Sequence, residues 1–175
     1  MSRGDTQNSV FNVANIEIVI RTGFSWLQSI ATVVAPLALR IALAVPFYSS
    51  GLTKWTGFLS LSPAAQFLFE EQFKLHIFGG LYDLPAPDLL AWFDGVGEIM
   101  LPVFLVIGLA TRLSALGLLA MTAVIQLVVP DGWANFHLPW AAMATALIAL
   151  GPGPLSLDRV LSWAFAGRLA RMRSH

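Results

Sequence analysis

The 175-residue sequence has no cysteine. Disulfide staples, thiol–disulfide exchange, iron–sulfur clusters and thiolate metal sites are therefore excluded. Charge is also scarce. Only 11% of residues are Asp, Glu, Lys or Arg, where soluble globular domains carry about 25%. Ten acidic residues cancel ten basic ones, so bulk electrostatics predicts no nucleic-acid partner. Histidine occurs at His76, His137 and His175. Only His137 lies in an apolar segment, so a bis-histidine haem within one chain is not available. No metal-ligand spacing, internal repeat or low-complexity tract is present. The glycines of "DGVGEIM" follow no strand and are not a dinucleotide fingerprint. The N-terminal segment lacks an apolar core with a small-residue cleavage site and does not read as a cleavable signal peptide.

What is present is oil. Hydrophobic residues make up 57% of the chain, and mean hydropathy is +0.72. The reading is an all-α integral membrane protein of one domain. A spanning helix needs about 20 mostly apolar residues. The first candidate is residues 31–53. The run from Ile99 to Val129 is too long for one crossing, about 46 Å as a single helix, and breaks at "GLATR", where Gly108 ends one helix and Thr111 can cap the next. The piece before the break is too short to span unless it recruits residues back to about Asp88. The second span is thus 88–109, and it carries Asp94 and Glu98 into the membrane. The third and fourth are 112–130 and 134–151, completing a four-transmembrane-helix bundle.

The positive-inside rule sets its orientation. Arg3, Arg21, Arg112, Arg159, Arg168, Arg171 and Arg173 fall on one side, and Lys54 and Lys74 on the other. Both termini are expected inside, N-in and C-in, in a bacterial-type cytoplasmic (inner) membrane. Trp26 and Trp163 would mark the inner interface, and Trp55, Trp92 and Trp133 the outer one. Interfacial amphipathic helices are expected in the outer loop 54–87, over "SPAAQFLFEEQFKLHIF", and on the inner surface at 156–172, where Ser156 is an N-cap candidate. Residues 1–30 read as an inner-surface segment, although "IEIVI" alternates.

Polar residues inside lipid are costly and functional by default. Counting 1.5 Å per residue from the expected span ends puts Arg40 and Glu98 at nearly the same depth, so the two could pair. Asp94 is one turn nearer the outside, where Lys54, Gln126 and His137 also fall. Two readings stay open: an ion pair that fixes helix register, or a pocket in the middle or outer half of the bundle. The pocket suits a lipid-soluble ligand such as a quinone. Arg40, Lys54, Gln126 or His137 would donate to its carbonyls, and Glu98 or Asp94 would shuttle a proton.

"FYSSGLTKW", "GEIMLPVFLVIGLATR" and "GPGPLSLD" together resemble the DoxX/DoxD family of four-helix membrane proteins, over roughly residues 35–162. The resemblance implies a quinone-linked redox role, with Lys54, Glu98, Arg112 and the block holding Ser156 and Asp158 as family-typical positions. The expected function is the membrane subunit of a quinone-linked oxidoreductase, without a redox centre of its own and with a soluble or membrane redox partner. The alternatives are a small-solute or ion transporter, and a non-catalytic anchor for a soluble redox or metal-handling partner. Small residues at Gly95, Gly117 and Ala120 would suit a homodimer. No haem, iron–sulfur or metal cofactor is implied.

Overall fold

The computed structural model describes the backbone of residues 3–172 and the side chains of residues 21–165. The side chains of Arg3, Arg168, Arg171 and Arg173, counted in the charge bias, lie outside the described residues. The chain divides into two compact units, 1–35 and 36–175. The first is a stretch of helix whose apolar side chains, among them Phe24, Trp26, Leu27 and Ile30, are exposed.

Among the described residues, three helical stretches are long and apolar enough to cross a membrane: Arg21–Thr53, Pro87–Ile107 and Thr111–Val128. The first lies within helix α1, Arg3–Thr53, which continues through Pro36 and Pro46. The expected separate segment 1–30 is thus helical from Arg3 and continuous with the first span. The alternation at "IEIVI" does not break it. Helix α3 is Pro87–Ile107 and α4 is Thr111–Val128. A tight turn at Pro130–Gly132 and a wide one at Trp133–His137 lead into α5, Leu138–Leu150, and α6 is Leu157–Met172.

In the second unit, α1, α3, α4 and α5 share one core. Leu43 and Phe47, Leu105, Leu118, and Ala144 and Leu147 pack in a buried cluster. The outward faces are apolar as well: Ile41 and Val45 on α1, Val103 and Val106 on α3, and Leu113 and Leu116 on α4 are exposed. Oil on both faces is what a lipid-facing bundle requires.

The 54–86 segment departs from expectation. Its helix, α2, is Pro63–Phe67, capped by the Ser62 hydroxyl accepting from Ala65 N at 3.1 Å, and runs on as a wide turn to Gln72. It stops there, and Lys74–Ile77 forms strand β3 paired antiparallel with β4, Gly80–Asp83. Phe78 and Gly79, both at positive φ (51° and 81°), make the two-residue turn, the geometry that two-residue hairpins favour. A second hairpin pairs β1, Trp55–Gly57, with β2, Ser60–Leu61. An amphipathic helix through Phe78 is therefore corrected to a short helix and a hairpin.

The α3–α4 turn has a different cap from the one expected. Gly108 takes φ +72°, and Leu109 N donates to Phe104 O at 2.9 Å, closing α3 as expected of glycine. The Thr111 hydroxyl does not cap α4. Asp158, from the start of α6, accepts from Ala110 N at 2.7 Å and from Thr111 N at 2.9 Å. A carboxylate is a stronger acceptor than a hydroxyl and also meets the positive end of the helix dipole.

Candidate functional site

The site is built by the close approach of α1 to α3. A Cβ on Gly51 would lie 2.9 Å from both Glu98 Cβ and Ile99 Cγ1, and one on Gly95 would lie 2.7 Å from the Trp55 ring. Only glycine permits that spacing, and the spacing lets Lys54, at the end of α1, reach across to α3. Asp94 and Glu98 stand one helical turn apart and so share a face. Lys54 Nζ donates to Asp94 Oδ2 and to Glu98 Oε2, each at 2.5 Å. Ser50, one turn before Lys54, lines the same cavity as the Glu98 carboxylate. Lys54 and Glu98 are 8% and 4% exposed, so the pairing lies away from solvent. Burial alone would pull the Lys54 ammonium down, but Asp94 and Glu98 outweigh it by charge and hydrogen bonding and hold it above its ordinary value.

The three groups form one wall of a cavity of about 450 Å³. Phe47, Phe69, Phe73, Met121 and Trp140 supply much of the remaining wall. Lys54 Nζ lies 5.7 Å from the Phe69 ring centre, within cation–π range. With all three groups ionised, one ammonium faces two carboxylates and the cluster is one negative charge in excess. In apolar surroundings a proton, a cation or a hydrogen-bond donor would balance that charge.

The other candidates lie elsewhere. Arg40 does not pair with Glu98. Its Nε donates to Pro36 O at 3.4 Å, its Nη1 to Val106 O at 3.3 Å and its Nη2 to Leu155 O at 2.5 Å. It is 1% exposed and sits against the Gly108 turn, at the far end of α3 from Asp94. The depth count failed because it took Ala31 as the edge of the bundle, whereas the Gly108 turn that ends α3 lies level with Arg40 itself. Gln126 and His137 do not reach Asp94 or line the cavity. They pair with each other, His137 Nδ1 lying 2.6 Å from Gln126 Oε1, while Gln126 Nε2 donates to Pro130 O at 3.2 Å. The His137 ring stacks obliquely on Trp140 and lies against Gly132, where no Cβ would fit. Arg112 is exposed, with its guanidinium beside Gly151. Ser156 caps α6, its hydroxyl accepting from Arg159 N at 3.3 Å. Gly95 and Gly117, read as surface for a second copy, are used within the chain, against Trp55 and Leu101.

Sequence reasoning missed Ser50, Phe69 and Trp140. Ser50 could have been found, since the Ser50–Lys54 spacing on α1 matches Asp94–Glu98 on α3. Phe69 and Trp140 carried no signal beyond being aromatic.

The family model of DoxX matches residues 35–131. The chain belongs to the DoxX family. The match takes in Arg40, Lys54, Asp94, Glu98, Arg112 and Gln126, while His137, Ser156 and Asp158 lie beyond it. This DoxX protein is also 33% identical, over 144 residues, to a Haemophilus influenzae protein described only as an uncharacterized protein, a similarity covering 77% of this chain and 88% of that one. No solved structure matches it. Together with three helices of spanning length, the family establishes a membrane protein.

Proposed function

We propose that this DoxX protein is the quinone-binding membrane subunit of an oxidoreductase, with its ligand held in the cavity beside Lys54, Asp94 and Glu98. One observation carries the reading: a buried, hydrogen-bonded cation with two carboxylates opens onto an otherwise apolar, aromatic-lined cavity. A quinone has carbonyl oxygens that need donors and an apolar body that needs such walls. Bound there, it would supply the two-electron, two-proton chemistry that this chain's side chains lack. Lys54 would donate a hydrogen bond to a carbonyl oxygen. Asp94 and Glu98 would hold and deliver protons. Electrons would come from a partner subunit, soluble or membrane-bound.

In this reading α5 with its preceding turns makes a fourth crossing, both termini face the cytoplasm, and the protein resides in an inner membrane. The excess negative charge of the cluster favours one second reading, a carrier for a small cation, in which Pro46, which lines the same cavity, would loosen α1. Extraction of purified protein followed by chromatography tests the quinone reading. Quinone is expected in the extract. A long-chain ubiquinone at a hundred times its Kd should stabilise the protein by about 2.7 kcal/mol. Glu98→Gln should insert normally and lose that stabilisation. A quinone-free extract together with an unmoved melting temperature would sink the proposal, and proton- or cation-driven flux in liposomes would then support the carrier.

A further inference from the structure

We infer that the cavity opens sideways, between α3 and α4, into the hydrocarbon of the bilayer, and that its ligand is a tailed lipid-soluble molecule. The inference rests on the cavity being a ligand site, as proposed above, and adds the route in and the shape of what enters.

Three observations carry it. The polar groups lie on the α1–α3 wall, where Ser50, Lys54, Asp94 and Glu98 all belong. Phe69, Phe73 and Leu84, from the segment between α1 and α3, also line the cavity, and Phe69 is 7% exposed. They close it near the Lys54 end. Other lining residues are exposed at the same time: Leu90 and Phe93 on α3, and Ala120 and Val124 on α4. A residue that both lines a cavity and faces outward is its rim.

Leu90 and Phe93 occupy the first two turns of α3, and Ala120 and Val124 the last three of α4. These antiparallel helices are joined at Gly108–Ala110, so Phe93 and Val124 stand at about the same level, with Leu90 nearer the start of α3 and Ala120 about one turn nearer the joining turn. Both helices are of spanning length, so at this level they face acyl chains. None of the exposed lining residues, Val129 included, is polar, while the Asp94 side chain behind them is only 22% exposed. A small hydrated solute would have to shed its water on that rim before meeting Lys54, whereas a headgroup with an alkyl tail loses nothing by crossing it. Ala120 is the smallest of the four.

The test uses full-length protein in lipid nanodiscs, as wild type, Ala120→Phe and Val124→Phe. Melting is followed with a long-chain ubiquinone and with its chainless ring analogue. Both should stabilise the wild type. The phenylalanine variants should need about tenfold more of the long-chain form, and their loss for the ring analogue should be several-fold smaller. Equal responses of variants and wild type to the long-chain form would overturn the side entrance while leaving the quinone site standing.

If neither compound stabilises the wild type, the quinone reading fails, and lipid access is read directly. Acyl-brominated phosphatidylcholine should quench the Trp140 component of fluorescence, identified by difference with Trp140→Phe. Ala120→Phe should reduce that quenching by about half or more, as expected when a packed ring closes a gap. Undiminished quenching would overturn the inference.

Discussion

Lys54 is the residue on which the site turns, because it lies within hydrogen-bond reach of two carboxylates. Lys54→Met leaves Asp94 and Glu98 facing each other in an apolar wall. The expected cost is about 3–5 kcal/mol, the range for removing one partner of a buried pair. Adding Glu98→Gln to that variant should return part of the loss, read as thermal unfolding in detergent. The pH dependence follows from the raised Lys54 value. A cation held above its unfolded value contributes fully below that value, and the contribution fades as pH rises through the folded one. The Lys54 contribution should therefore be complete below about pH 10.5, the ordinary lysine value, and decline above it. Lys54→Met should lack this alkaline decline. A variant that melts in parallel with wild type across the alkaline range would show that the ammonium does not stabilise the fold.

At the scale of elements, the α1–α3 crossing decides whether these groups meet at all. Gly51→Leu cannot be accommodated without parting the helices, since even its Cβ would overlap Glu98. Its expected cost is about 1–3 kcal/mol, as for overpacked cores, and it should also abolish ligand stabilisation. Gly23→Ala is the control, because nothing lies within 4 Å of a Cβ there, and it should be neutral or gain up to about 1 kcal/mol of helix propensity.

The same crossing shows what could be read from sequence. The helices were legible because runs of apolar residues outlast any other signal. The Asp94–Glu98 face was legible from its one-turn spacing. The partner of Glu98 was not, because depth was reckoned from a helix end that hydropathy does not mark. Arg40 can lie in oil at the other end of α3 only because three backbone carbonyls receive it, and such acceptors leave no trace in a sequence. The β3–β4 hairpin did leave one: "FGG" between two alternating runs is turn chemistry, and the amphipathic pattern around Glu70 obscured it.

For the whole molecule, the absence of cysteine makes topology easy to read. Ser60→Cys places a thiol in the β1–β2 hairpin and Ser162→Cys places one on α6. In intact cells a membrane-impermeant maleimide should label the first and spare the second, which should react only after lysis. Labelling of both in intact cells would show that the two sites share the outer side and that α5 does not complete a fourth crossing.

The Asp158 clasp on the α3–α4 turn has a consequence in time. The carboxylate that receives Ala110 N and Thr111 N is made 48 and 47 residues after them. While the ribosome is still building α5, the start of α4 must therefore be served by water or headgroups. The hairpin of α3 and α4 is inserted first and latched later. Loss of Asp158 would be felt as a nascent protein that enters the membrane on schedule yet stays open to proteases at its α3–α4 turn.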